Sequence, residues 1–140
     1  MIIPPIIELI IQKSGGDCAV AALAMMLGVS YADINAAVPH RRNAKQKGLS
    51  ERQIISVGKR LGVSIGARVA PPEDDEFGML DLRGGEGGVN KKQEGHVVLH
   101  FTGGNVYDPA DGLLYTDVAA FLLAKDWQIQ GFYWAKGQEG

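Results

Sequence analysis

Residues 19–27 read Ala-Val-Ala-Ala-Leu-Ala-Met-Met-Leu, a run of good helix formers without one polar side chain. A helix that is apolar on every face has to be surrounded, so the rest of the chain must supply layers that cover it. Gly15, Gly16, Asp17 and Cys18, the only cysteine, stand directly before and at its start. A thiol in the first turn of a helix faces backbone N–H groups and the positive end of the helix dipole, which favour thiolate over thiol. The two glycines let the backbone approach a ligand closely and adopt turns closed to other residues. Taken alone, Cys18 reads equally well as a small buried hydrophobe. A working thiol needs a base.

The other elements follow from spacing. Gly28 is placed to end the buried helix. Ser30 with Asp33 starts a short second helix, closed by Pro39. Ser50 and Gln53 make a capping box for a third, whose apolar stripe is Ile54, Val57 and Leu61, with Lys59 and Arg60 in the last turn and Gly62 beyond. After Gly62 the apolar period shortens to two. "VSIGARVA" and "GMLDLR" read as strands, "HVVLHF" and "NVYD" as a hairpin around Thr102-Gly103-Gly104, and "WQIQGFYW" as a last strand. Trp127, Phe132, Tyr133 and Trp134 are expected to be sheet and core residues, and Thr116 to cap a helix running to about Ala124. Helices first and antiparallel strands afterwards predict an α+β arrangement in one domain spanning residues 1–140. The segment Gly84 to Gly95, "GGEGGVNKKQEG", is expected to be a mobile loop that closes over a bound substrate.

Composition excludes several functions. With 46% hydrophobic and 21% charged residues, 140 residues suffice for one substantial core. A formal charge of -2 argues against a nucleic-acid partner, and the basic run from His40 to Lys47 reads as a solvated loop. One cysteine excludes an internal disulfide and fits a reducing compartment, so the expected location is the cytoplasm. "MIIPPIIELIIQ" at the N-terminus is too short to span a bilayer and lacks a basic region of the signal-peptide kind, so no membrane segment is expected. His96 and His100 beside a cysteine suggest zinc, but strand residues four apart lie about 13 Å apart. No metal and no cofactor are expected.

His96 and His100 both precede the hairpin, and Asp108 closes the returning strand ahead of Pro109. A thiol on a buried helix, with an imidazole and a carboxylate on adjacent strands, is the layout of a cysteine hydrolase. The imidazole takes the thiol proton, and the carboxylate holds its tautomer. Gln12, six residues before Cys18, is placed to donate its side-chain amide to an oxyanion.

The run "Q-K-S-G-G-D-C-A-V-A-A-L-A-M", with "G-H-V-V-L" and "V-Y-D-P-A-D-G" downstream, resembles the bacteriocin-processing peptidases. These are papain-like domains that remove double-glycine leader peptides, usually at the front of an ABC exporter. The resemblance takes in nearly the whole chain, including "GVSYADI" and the passage "G-L-S" to "L-G-V". It departs at Ala19, where family members often carry glycine, and no exporter follows Gly140, so a stand-alone domain is expected. The resemblance implies a papain-like fold in which N-terminal helices, with the nucleophile helix buried, pack on a C-terminal antiparallel sheet. It implies Cys18 as nucleophile, His96 as base, Asp108 as its orienting partner and Gln12 as oxyanion donor. Gly16, Asp17 and Gly95 are the expected substrate contacts. The expected activity is hydrolysis of a peptide or isopeptide bond, after a double-glycine or similarly glycine-rich sequence, in a peptide or protein substrate. Two alternatives stand beside it: an amidase or transglutaminase-type acyl transfer on the same scaffold, and a silent module that binds a peptide tail without cutting it.

Strand register tests this assignment. A two-residue turn at Gly103-Gly104 would set Asp108 opposite Leu99, on the wrong face for either histidine, and a Gly103-Gly104-Asn105 loop would set it opposite His100. A Thr102-Gly103-Gly104 loop sets it opposite Val98, diagonal to His96 and within side-chain reach. The chemistry needs His96, so the third register is expected, or a longer loop or bulge with the same facing.

Overall fold

The computed structural model describes residues 1–13, 17–38, 48–84 and 95–138. Helix α1, Cys18–Leu27, is buried at every position from Cys18 to Met26, as its unbroken apolar sequence demands. Gly28 ends it in the left-handed conformation, at φ 70°. Helix α2, Tyr31–Ala37, opens with a capping box in which the Ser30 hydroxyl accepts from the Asp33 N–H at 3.0 Å. It stops at Val38, which is extended, the conformation favoured before a proline. Helix α3, Glu51–Arg60, has the expected Ser50–Gln53 capping box and buries Ile54 and Val57.

The strands β1 (Val63–Arg68), β2 (Gly78–Gly84), β3 (His96–Phe101), β4 (Asn105–Asp108), β5 (Leu113–Tyr115) and β6 (Trp127–Gln138) form one antiparallel sheet in the order β1-β6-β2-β3-β4-β5. Helix α4, Val118–Lys125, lies between β5 and β6 in the chain. The sheet has a core on each face. On one, α1 packs with Met79, Val97, Leu99, Tyr107 and Tyr133, joined by the buried residues of α2 and α3. On the other, Leu80, Leu82, Val98, Val106 and Phe132 pack with Phe121 of α4 and with Trp127. Alternate residues of β3 thus go to opposite layers, and the two-residue period puts His96 and His100 on the α4 side with Val98.

Three details depart from the expectation. Helix α4 is capped by Asp117, not Thr116: the Asp117 carboxylate accepts from the Ala120 N–H at 3.2 Å, and Thr116 stands one residue too early for that contact. Strand β5 was not anticipated, being three residues long and ordered by pairing with β4. Strand β6 continues past Trp134 to Gln138 because β1 pairs along it as far as Val63 opposite Gln138. Within that pairing Trp134 lies over Gly66, where a Cβ would fall 2.4 Å from the indole. Most of the expected substrate-closing loop, residues 85–94, lies outside the described residues, as do Gly16 and the basic run up to Lys47. Among the described residues no single helix is long and apolar enough to cross a membrane.

Candidate active site

Cys18 is the first residue of α1 and is 8% exposed. Asp17 precedes it as N-cap, its carbonyl accepting the first helical bond from the Ala21 N–H at 3.0 Å. His96 opens β3 and Asp108 closes β4, so the hairpin brings both to one end of the sheet. The observed pairs are Leu99 with Tyr107, His100 with Val106 and Phe101 with Asn105. They leave Thr102-Gly103-Gly104 as the loop, with both glycines at positive φ, 96° and 76°. This is the register expected from a role for His96, and continuing it sets Asp108 opposite Val98.

The diagonal contact follows. His96 Nε2–H donates to Asp108 Oδ1 at 2.8 Å. That same oxygen accepts from the Ala110 N–H at 2.9 Å, which fixes the carboxylate in the turn after β4. The side chain of Cys18 also stands beside the imidazole, close enough to favour its protonated form. With Nε2 given to Asp108, Nδ1 is the nitrogen left for sulfur. The thiol comes from the α1 layer and the imidazole from the α4 layer, and they meet at the end of the sheet. Burial disfavours the charged imidazole and is the largest single influence on it. The hydrogen bond to Asp108 and the nearby Cys18 side chain, with the attraction of both groups, together outweigh that penalty and raise His96 to about 9.

Trp127 completes the enclosure. Its ring stacks on His96 with centroids 5.1 Å apart and planes 21° apart. Its partner on β2 is Gly84, which has no side chain to block the indole from reaching across to β3. Reading Trp127 as core was correct as far as burial goes, but its place on the imidazole was missed. The signal was a tryptophan paired with a glycine, and it is visible only once β6 is known to lie beside β2.

The other expected site residues are placed as follows. Gln12 is held beside the end of β4 by its backbone N–H, which donates to the Pro109 carbonyl at 2.9 Å, and its side-chain carbonyl oxygen is buried. Gly95 is exposed directly before His96. The Asp17 carboxylate accepts a hydrogen bond from the Tyr31 hydroxyl. His100 stands apart from the site: it is fully buried, and its Nδ1–H donates to the Glu76 carbonyl at 2.7 Å.

A scan against models of protein families gave no match, and a sequence search of curated proteins gave none either. Solved structures do match. The peptidase domain of Streptococcus ComA, a bifunctional ABC transporter of a quorum-sensing pathway, superposes with a TM-score of 0.65 at 18% identity, over 95% of this chain and 100% of that one. The fold is that of a papain-like peptidase domain. A double-glycine-motif protease from an AMS/PCAT transporter, solved in complex with its leader peptide, matches with a TM-score of 0.65 at 16% identity, over 97% of each chain. The peptidase domain of Streptococcus mutans ComA matches with a TM-score of 0.57 at 15% identity, over 91% of this chain and 97% of the other. Within this papain-like fold, Cys18 and His96 occupy the start of the buried helix and the start of the strand that faces it.

Proposed function

We propose that residues 1–140 form one cysteine peptidase domain that cleaves a peptide bond after a double-glycine sequence. The observation that carries the reading is the imidazole of His96, hydrogen-bonded to Asp108 and beside the only cysteine, at the start of a buried helix. The similar double-glycine-motif protease solved with its leader peptide supports the choice of substrate.

In this mechanism His96 takes the proton of Cys18, and Sγ attacks the carbonyl carbon of the scissile bond. Negative charge moves onto the carbonyl oxygen, where Gln12 and the first-turn amides of α1 stabilise it. The C–N bond breaks as His96 gives its proton to the leaving amine, and a thioester remains on Cys18. Water, deprotonated by His96, attacks the thioester, and the released sulfur recovers the starting state. Asp108 keeps Nε2 protonated throughout, so that Nδ1 handles the proton. Trp127 excludes water from the His96–Asp108 bond. Gly16, Asp17 and Gly95 flank the nucleophile and base as contacts for the narrow glycine-containing segment. A free catalytic thiol suits a reducing compartment such as the cytoplasm.

The test is incubation of the wild type and Cys18→Ala with synthetic peptides containing a double-glycine junction, with products read by mass spectrometry. Cleavage after the second glycine by the wild type alone is expected. Equal cleavage by Cys18→Ala would overturn the assignment.

A further inference from the structure

The four described helices do not start alike. Ser30, Ser50 and Asp117 each accept a hydrogen bond from an amide in the first turn of the helix they precede, α2, α3 and α4. Asp17 before α1 does not, although aspartate is among the best N-caps and Asp117 caps in this same protein. Its backbone performs the N-cap's duty, accepting from Ala21, but its φ and ψ of -96° and 11° are not the extended pair seen at Ser30, Ser50 and Asp117. The carboxylate is turned instead to the hydroxyl of Tyr31, the first residue of α2. The Tyr31 ring is itself fixed, 8% exposed in the core around α1 and faced by the Lys13 ammonium 4.9 Å from its centroid.

A carboxylate released from Tyr31 has an obvious place to go. The amides of the α1 first turn lie next to it, and they are the groups that an N-cap aspartate ordinarily takes. Those amides also stabilise negative charge on Cys18 Sγ and on the oxygen of the reacting carbonyl. A capping carboxylate there would compete for the same donors and add a like charge beside the sulfur.

We propose that Tyr31 is a positioning residue for the nucleophile: by holding the Asp17 carboxylate it keeps the first turn of α1 open to the negative charge of the reaction. This rests on Cys18 being the nucleophile, and it adds a residue outside the Cys18–His96–Asp108 set. In this proposal Tyr31 acts through Asp17, whose carboxylate accepts from its hydroxyl.

The experiment compares wild type, Tyr31→Phe, Asp17→Ala and the double variant by their rates of alkylation with iodoacetamide at pH 6 and pH 9.5. The single cysteine makes the readout unambiguous. Tyr31→Phe keeps the ring and loses only the hydroxyl. It should slow alkylation at pH 6 roughly tenfold and leave the rate at pH 9.5 unchanged, because an ordinary thiol is ionised there in either case. In the Asp17→Ala background the same substitution should change nothing, since no carboxylate remains to be misplaced. An equal loss in both backgrounds, or a Tyr31→Phe profile that overlays the wild type, would overturn the proposal. Thermal melts of all four confirm that folded proteins are compared. Cleavage of the double-glycine peptide by the wild type is scored separately: its failure would sink the peptidase assignment, while the alkylation ratios still decide the role of Tyr31.

Discussion

His96 and Asp108 lie twelve residues apart and meet at 2.8 Å although they are not direct cross-strand partners. The three-residue loop makes the contact diagonal, with the Ala110 amide securing the carboxylate oxygen that the imidazole uses. On the proposed mechanism this carboxylate orients the base rather than reacting. Asp108→Ala should therefore leave measurable turnover, reduced about 10²- to 10⁴-fold. Cys18→Ala and His96→Ala should each remove it almost completely, because nucleophile and base work as a unit. Steady-state kinetics on the cleaved peptide would check the ranking.

The raised value of His96 carries a stability prediction. Its ordinary value is near 6.5, and in the fold it rises to about 9, so folding favours the protonated ring. The stabilisation is fully present below about pH 6.5 and is lost as the pH rises through about 9. Between pH 7 and 10 the thermal midpoint of the wild type should fall more steeply than that of His96→Gln, which cannot titrate. Parallel curves would contradict the raised value. Peptidase activity should decline on the alkaline side over the same range, as His96 loses the proton it gives to the leaving amine.

Trp127 should prove more than a core residue. Trp127→Phe retains an aromatic ring but gives up part of the cover over His96. It should lower kcat about tenfold with little effect on KM, as expected for a water shield over a catalytic hydrogen bond. Trp127→Ala should in addition destabilise the fold by about 3–5 kcal/mol, read from denaturant unfolding. A Trp127→Phe enzyme as fast as the wild type would reduce the residue to a packing role.

Gln12 is tied to the end of β4 by its backbone, so its side chain can be shortened without loosening the segment. Gln12→Ala should cut kcat about 10²- to 10³-fold and change KM little, the pattern of a donor that acts on the oxyanion rather than on bound substrate. A loss confined to KM would place Gln12 in substrate binding instead.

The amino-acid sequence by itself determined what depends on near neighbours in the chain. The ends of α1, α2 and α3 could be read from Gly28, Ser30, Asp33, Ser50 and Gln53, because capping and left-handed turns are settled within about four residues. The hairpin register was narrowed to a few pairings by the short loop, and the choice among them came from the chemistry expected of His96. Thr116 and Asp117 are both good N-cap residues, and propensity cannot choose between neighbours one residue apart; Asp117 does the capping. The tertiary structure decided everything that requires two distant segments to be neighbours. The order β1-β6-β2-β3-β4-β5 puts β6 against β2, and only then does Trp127 find Gly84 opposite and His96 within reach. Strand β5 exists because β4 offers it an edge. The Asp17 carboxylate turns from its own helix to Tyr31 because α2 folds back against α1. Local propensity carries no record of such contacts, since their energy comes from burial and pairing between segments that the chain brings together only on folding.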